Sequence, residues 1–510
     1  MASIIRGLDT LQTGENNHME YKYSAELREL IVQVFFNAVR SSELNKLSTV
    51  LNHPEFKENT FEYDIMVRMA LNTRDIKNGK GEYKLGYIFI REWYKINPNI
   101  ARMLIQRYVT EFGSWKDIKY LCNFLGREHS LVNYCVNLIS NQLKKDDEDF
   151  KNKKNISLAG KWAPREKSKQ FGWIAHLISK EMELNPQSYR TLVARLNNYI
   201  DTTQIKMCNN TWDQIDFGKV TSLTLNKFKK SFLNSKNKES DVRIKCADNL
   251  KNHLNKCVEG TAKINSKTLN VYEMVKTAYV NNNNDNDIIN LVNAQWNEHS
   301  KQTGNLCNII PMADTSGSMT CNNCEPLYSA LGLSIRVSEK THPAFRNRVL
   351  TFSASPNWVI LDEKLTFHEK VKLLSRANWG MNTNFYTALE LILNIIRVNK
   401  ISPEEIGTVT LAIFSDMQID YADKYYISMY DGIASKFKEI GHEPPHIIFW
   451  NLAGRTTGFP TLSTTKNCSM LSGYNSSLLN LFCEKGSEIL KDLSPWKLMC
   501  EALLHERYSY

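Results

Sequence analysis

The chain has 510 residues, of which 42% are hydrophobic and 23% charged, and its formal net charge is +10. This length allows two to three domains with substantial cores, and no apolar run approaches the length needed to span a bilayer. The 11 cysteines have no framework spacing, and residues 1–10 lack the apolar core of a signal peptide, so we expect an intracellular, cytoplasmic protein without a membrane segment.

The first 300 residues predict an α-helical array. Apolar residues recur at helical spacing in five segments, at 27–38, 88–93, 100–108, 131–143 and 189–200. Helices of this length with short connections are typical of α-solenoids and HEAT-like arrays, although no fixed repeat period is visible. The charged stretch 144–155 predicts a solvated loop, and the Asn/Asp-rich run 281–287 predicts a junction between two halves.

The basic excess is confined to this first half. Residues 301–510 contain 20 Lys and Arg and 20 Asp and Glu, which leaves 44 and 34 in the first 300 residues. This asymmetry indicates a polyanionic partner, and the cations are densest where they alternate with glycines and aromatics. The candidate RNA contacts are Arg74, Lys77, Lys80, Lys84, Lys161, Arg165, Lys167 and Lys169. The alternative interpretation is a solvated helix face and a flexible loop.

Residues 301–510 predict one α/β domain. The predicted strands are 306–310, 348–352, 358–361, 409–414 and 446–452. The predicted amphipathic helices between them are 326–340, 367–377, 385–398 and 425–440. Strands that alternate with helices indicate a doubly wound, Rossmann-like sheet. The predicted fold class is therefore α+β and multidomain, with a HEAT-like helical array over residues 20–300 followed by an α/β domain over 301–510.

Oxygen-bearing side chains follow two of these strands. Asp314, Ser316 and Ser318 form an Asp-x-Ser-x-Ser sequence after the first predicted strand. Asp416 follows the fourth, and Thr383 precedes a predicted helix. Ligands of open parallel sheets bind at the carboxyl ends of the strands. Two carboxylates and three hydroxyls suit Mg²⁺ or another divalent cation and leave a coordination position for an incoming carboxylate or phosphate.

These five residues resemble the metal-ion-dependent adhesion site (MIDAS) of von Willebrand factor A domains. The resemblance implies that the hydroxyls of Ser316, Ser318 and Thr383 touch the ion directly. It implies that Asp314 and Asp416 act through water and balance the charge. Such a site binds ligands and gives no indication of catalysis, so we expect no enzymatic activity.

Short motifs extend the resemblance over residues 20–500. They are RDIKNGKGE at 74–82, EFGSWKD at 111–117, KWAP at 161–164, MCNNTWD at 207–213, SDMQ at 415–418, IFWNL at 448–452 and LSGY at 471–474. They resemble an uncharacterised family that joins a helical region to a von Willebrand A domain. That family is distantly similar to the Ro autoantigen and other TROVE-module proteins, in which HEAT-like helices bind noncoding RNA. The resemblance implies an RNA-binding helical surface and assigns no individual contact.

Two functions from different classes follow. The first is binding of noncoding or single-stranded RNA by the helical half. The second is a Mg²⁺-dependent protein-interaction or structural scaffold that binds a carboxylate of a partner protein. Such a scaffold would be a virion component if the chain is virally encoded. A metal-dependent nuclease is disfavoured because the ligand set lacks a two-metal carboxylate clamp.

Two further motifs carry less weight. Cys321-x-x-Cys324 has the spacing of zinc ligands or a redox pair, but the chain has no second such pair. Four tryptophans of the first half are expected to be core anchors rather than base-stacking residues, namely Trp93, Trp115, Trp162 and Trp212.

Overall fold

The computed structural model describes residues 10–14, 19–281, 285–352, 356–376, 385–418, 428–455, 458–483 and 487–510. The chain divides into two compact units. The sheet unit comprises Met1–Met69 and Ser266–Tyr510, and the helical unit comprises Ala70–Asn265. Within the described residues, no helix combines the length and the apolar character that a membrane crossing requires.

The N-terminal segment belongs to the sheet unit. Its elements are β1 (Leu11–Thr13), β2 (Met19–Tyr21), α1 (Leu27–Asn37), α2 (Leu47–Leu51) and α3 (Phe61–Arg74), which spans the division. Ten of the eleven residues of α1 are buried. The Ser472 hydroxyl donates to the Phe35 carbonyl at 2.9 Å, and the Asn451 side chain donates to the Phe36 carbonyl at 3.2 Å. Helical periodicity alone groups this segment with the helical array, whereas its contacts place it against the sheet.

The helical unit consists of helices joined by short connections, which confirms the prediction of a helical N-terminal region. Its helices are α4 (Tyr83–Ile96), α5 (Pro98–Arg107), a π-helical turn (Tyr108–Phe112), α6 (Lys116–Leu125), α7 (Leu131–Lys151), α8 (Ala159–Trp162), α9 (Gly172–Glu181), α10 (Pro186–Ile200), α11 (Thr203–Cys208), a 3₁₀ turn (Trp212–Gln214), α12 (Ser222–Phe232) and α13 (Asp241–Val258). One prediction is wrong here. Residues 144–151 are not a loop, because α7 continues to Lys151 and is supported by the Lys151–Asp147 ion pair of 2.8 Å.

The C-terminal part forms a mixed six-stranded sheet with helices. The helices are α14 (Val271–Val280), α15 (Asn286–Ser300), α16 (Cys321–Lys340), α17 (Phe367–Leu374), α18 (Phe385–Asn399), α19 (Pro403–Ile406), α20 (Met429–Lys438), α21 (Ser487–Asp492) and α22 (Pro495–Leu503), with 3₁₀ turns at Gly317–Thr320, Pro343–Phe345, Ser476–Phe482 and Glu506–Tyr508. The strands are β3 (Asn308–Asp314), β4 (Arg348–Phe352), β5 (Asn357–Ile360), β6 (Val409–Ser415), β7 (His446–Asn451) and β8 (Cys468–Ser472).

The strand order is β5-β4-β3-β6-β7-β8, and every neighbouring pair is parallel except β4 and the edge strand β5. All residues of β6, β7 and β8 are buried, which explains the apolar runs of β6 and β7. The carboxyl ends of β3 and β6 lie side by side at the centre of the sheet. A C-terminal mixed-sheet domain is thereby confirmed, and this central edge brings together Asp314 and Asp416 from the predicted ligand set.

Candidate metal centre and candidate nucleic-acid interface

The Asp-x-Ser-x-Ser loop starts at Asp314, the last residue of β3, whose side chain is fully buried. Its Oδ1 accepts a hydrogen bond from the Ser316 amide at 2.9 Å, which turns the loop back towards the carboxylate. Ser316 Oγ lies 3.0 Å from Ser318 Oγ. The Thr315 amide donates to the Phe352 carbonyl at the end of β4, at 3.1 Å, and so ties the loop to the sheet. One carboxylate and two hydroxyls are thus gathered in one place.

The second carboxylate comes from the neighbouring strand. The register of β3 and β6 pairs Ala313 with Phe414, so the next residues, Asp314 and Ser415, end their strands side by side. The Ser415 hydroxyl donates to Asp314 Oδ2 at 2.6 Å, and Asp416 follows directly and is buried. Ser415 was absent from the predicted site. Its place just before Asp416, at the end of a strand parallel to β3, is the signal that points to it.

The electrostatics of this edge favour a bound cation. Burial and the nearby Asp416 carboxylate together raise the pKa of Asp314 to about 7, against the lowering effect of the hydrogen bonds from Ser415 and Ser316. Two close carboxylates with little hydration are costly when both are charged, and a divalent cation removes that cost. Thr315 Oγ1 is buried and has no hydrogen-bond partner among the described residues.

The donor set fits Mg²⁺ because all of its groups are hard oxygens. The described residues contain no group of three or more His, Cys, Asp or Glu side chains placed to hold a metal, so the serine hydroxyls are a necessary part of the set. Of the five predicted ligands, the structure brings together Asp314, Ser316, Ser318 and Asp416. Thr383 lies outside the described residues. Metal binding itself stays a prediction.

The Cys-x-x-Cys segment lies beside this site, at the start of α16. Both thiols are free, and Asn322, Asn323 and Cys324 adopt left-handed φ angles of 49°, 60° and 61°. Burial raises the pKa of Cys321, and the Asp416 carboxylate raises it further. The first thiol is therefore close to the second carboxylate of the metal site, and its raised pKa disfavours the thiolate that metal binding needs.

Two of the predicted RNA contacts are buried, and for them the structure requires a correction. Arg74 donates to Asp117 through Nε at 3.0 Å and through Nη2 at 2.6 Å, and the Tyr87 hydroxyl donates to the same carboxylate at 2.7 Å. A Cβ atom at Gly113 would lie 2.5 Å from both Arg74 Nη2 and Asp117 Oδ2, so this position requires glycine. Lys80 is also buried, and burial lowers its pKa well below the ordinary value. These two cations support the core of the helical unit instead of facing solvent.

The other six predicted cations are at the surface of the helical unit. Lys161 is half-buried, and the exposed ones are Lys77, Lys84, Arg165, Lys167 and Lys169. The neighbouring tryptophan, Trp162, is also half-buried. It departs from the core role expected of it, whereas Trp93 and Trp115 are buried.

Three ammonium groups surround the Trp162 ring. Lys119 Nζ lies 5.2 Å from the ring centroid, Lys161 Nζ 5.5 Å and Lys116 Nζ 5.7 Å. We call these three lysines, with Trp162 and the nearby Arg165, the Trp162 cluster. Sequence reasoning found Lys161 and Arg165 and missed the two lysines of α6. Their i, i+3 spacing, which places them on one helix face, was the available signal.

The cations of the Trp162 cluster lie close to one another and form no ion pairs among the described residues. Burial, Lys116 and Arg165 together lower the pKa of Lys119 to about 8. Burial also lowers the pKa of Lys116, and Arg74 and Lys227 lower it further against the opposing effect of Asp117. Within the described part of the chain, none of the four cations forms an ion pair. The cluster is therefore a concentration of positive charge that Asp117, which is itself paired with Arg74, partly offsets at Lys116.

Comparison with known proteins gives a family and no activity. Residues 178–305 match the domain of unknown function DUF2828, and residues 308–497 match the domain of unknown function DUF7788. The crystal structure of the Deinococcus radiodurans RO (RSR) protein aligns with 94% of this chain and 99% of its own. Its TM-score is 0.44 at 11% identity, which is too low to establish a shared fold.

A relative with a longer sequence match is the uncharacterised protein L728 of Acanthamoeba polyphaga mimivirus. The two sequences are 30% identical over 492 residues, which is 91% of this chain and 83% of L728. The match covers most of the sequence and therefore includes residues of both compact units. The chain belongs to the protein family of mimivirus L728.

Proposed function

We propose that this chain is a non-enzymatic RNA-binding protein whose helical unit binds RNA at the Trp162 cluster. The observation that carries the proposal is the set of ammonium groups 5.2–5.7 Å from the Trp162 ring, with Arg165 nearby and no ion pair to any of these cations among the described residues. Holding like charges together is unfavourable, and a phosphate backbone supplies the missing negative charge. Half-exposed aromatic rings beside the cations add a surface that bases can contact.

We further propose that the sheet unit is a von Willebrand A-like domain with a MIDAS-type site. Asp314, Ser316, Ser318 and Asp416 would hold the ion, with Thr383 as the fifth expected ligand. When bound, Mg²⁺ supplies a coordination position for an anionic oxygen of a partner. Ser415 holds the Asp314 carboxylate through its 2.6 Å hydrogen bond. These ligands would hold a single ion and do not form the two-metal site that many hydrolytic enzymes use, so we assign no reaction to this site.

A second candidate function rests on the metal site alone. Two close, buried carboxylates beside serine hydroxyls favour a Mg²⁺-dependent contact with a carboxylate of a protein partner. Capture of a defined protein that requires Mg²⁺, is lost in Asp314→Ala and contains no nucleic acid would support this scaffold function over RNA binding.

The primary proposal is tested by fluorescence anisotropy with a labelled 20-nucleotide RNA of mixed sequence. We expect binding at low salt, and a slope of log K against log[KCl] of about −2 to −3, because three or four phosphates each contribute about −0.7. Replacing Lys116, Lys119 and Lys161 together by Gln should abolish most of the binding. The matched control replaces three exposed lysines, Lys145, Lys153 and Lys154, by Gln. The proposal is wrong if no RNA binds at low salt, or if both triple variants lose affinity equally.

A further inference from the structure

Aromatic side chains connect the Trp162 cluster to the start of α4. The ring of Tyr83 lies 6.3 Å from that of Tyr120, and the ring of Tyr120 lies 5.0 Å from that of Phe171. The cations join this set to Trp162, since Lys119 Nζ lies 5.5 Å from the Phe171 centroid as well as 5.2 Å from that of Trp162. We call Tyr83, Tyr120, Phe171 and Trp162 the aromatic strip.

The rings of the aromatic strip keep surface available to a ligand. Tyr83 is 43% exposed, and the other three rings are half-buried. Tyr83 and Tyr120 meet at 67°, and Tyr120 and Phe171 meet at 60°, so these rings are inclined to one another and not stacked face to face. They come from α4, α6, α8 and the segment before α9, so folding brings them together from separate parts of the sequence.

Cations accompany the strip at short intervals. Lys116 Nζ lies 4.8 Å from the Tyr120 centroid and 5.7 Å from that of Trp162. An alternating arrangement of ring faces and ammonium groups is the pattern by which proteins hold single strands.

We propose that the aromatic strip binds an unpaired stretch of RNA, with bases stacked on the rings and phosphates on the lysines of the Trp162 cluster. This inference rests on the proposed function and adds the class of RNA that the site binds. In a duplex the base faces are stacked on one another, and only phosphates, sugars and groove edges are accessible. The aromatic rings then contribute nothing, and only the charges remain.

The test uses fluorescence anisotropy at fixed salt to compare a labelled ten-nucleotide oligouridine with a blunt-ended RNA duplex of ten base pairs. We expect the single strand to bind at least tenfold more tightly. Trp162→Leu and Tyr83→Leu should each lower single-strand affinity roughly tenfold, since a base–aromatic stack contributes about 1–3 kcal/mol, and should leave duplex affinity unchanged. The matched control is Tyr199→Leu, which alters a 41% exposed tyrosine of α10 that lies outside the strip.

The outcomes separate this inference from the proposed function. Equal binding of single strand and duplex, lowered by lysine substitution but not by loss of a ring, overturns the inference and leaves RNA binding in place. Absence of binding to either RNA overturns both. Tyr83→Leu keeps the test valid if Trp162→Leu unfolds the helical unit, because the exposed Tyr83 ring contributes less to the core; circular dichroism identifies that case.

Discussion

Because the Asp314 carboxyl group at the end of β3 is buried, we expect the metal-free protein to lose stability as pH rises. Asp314 titrates at about 7 in the folded protein, compared with an ordinary value of 3.8. Between these values the folded state binds more protons than the unfolded state, so the free energy of unfolding falls as pH increases. A difference of about three units corresponds to roughly 4 kcal/mol at 1.36 kcal/mol per unit. Because the Asp416 carboxylate interacts with the same proton, we expect the free energy of unfolding to fall by about 2–4 kcal/mol for the pair over the whole interval between the two pKa values.

The perturbation that tests this is Asp314→Asn, measured by urea unfolding in a chelating buffer at pH 5 and pH 8. Only the two pH units between pH 5 and the folded pKa of about 7 contribute in this window, so the wild type should be less stable at pH 8 than at pH 5 by about 2–3 kcal/mol at 1.36 kcal/mol per unit. The variant should lose most of that dependence. Mg²⁺ at about 100 times its dissociation constant should restore about 2.7 kcal/mol to the wild type at pH 8 and little to the variant. A wild type whose stability is unchanged between pH 5 and pH 8 would refute the reasoning.

Three further predictions follow from single contacts. Ser415→Ala removes the 2.6 Å hydrogen bond to Asp314 and should weaken Mg²⁺ binding about 10- to 100-fold by calorimetry, with Ser415→Thr close to wild type; equal affinities would contradict this. Arg74→Met leaves Asp117 buried without its cation and should cost about 3–5 kcal/mol in urea unfolding, so a loss below about 1 kcal/mol would be inconsistent with the buried pair. RNA affinity should fall between pH 7 and pH 9 as Lys119, whose pKa is about 8, loses its proton. Lys119→Gln should weaken binding and flatten that profile, and an unchanged profile would count against this lysine.

The elements around the metal site were accessible to sequence reasoning because each is an uninterrupted apolar run followed by polar residues. β3 and β6 are buried along nearly their whole length and end at Asp314 and Ser415. Their polar loops therefore had to lie at a sheet edge. β8 was not predicted, because its sequence Cys-Ser-Met-Leu-Ser contains only two large apolar residues, although all five are buried. Small polar side chains can be buried when they find backbone partners, as Ser472 does at Phe35.

Which of the basic residues face solvent depends on tertiary contacts, and composition does not reveal those contacts. Arg74 and Lys80 looked like members of a basic surface patch, but an acid 43 positions away pairs with Arg74, and Lys80 is enclosed. Conversely, the two lysines of α6 gained importance only when folding brought Trp162 beside them. The role of Thr383 stays a prediction.

The division of the chain has a consequence for how it is made and how it can be dissected. The sheet unit uses both ends of the sequence, so during synthesis α1 leaves the ribosome long before β7 and β8, against which it packs, exist. The helical unit has its complete sequence earlier and can fold first, as domains emerging from the ribosome do. A fragment that starts at residue 301 would leave the Asn451 and Ser472 side chains without their acceptors on α1. Residues 61–265, which keep α3 whole, are the natural piece to express alone, whereas the sheet unit needs 10–69 supplied with 266–510.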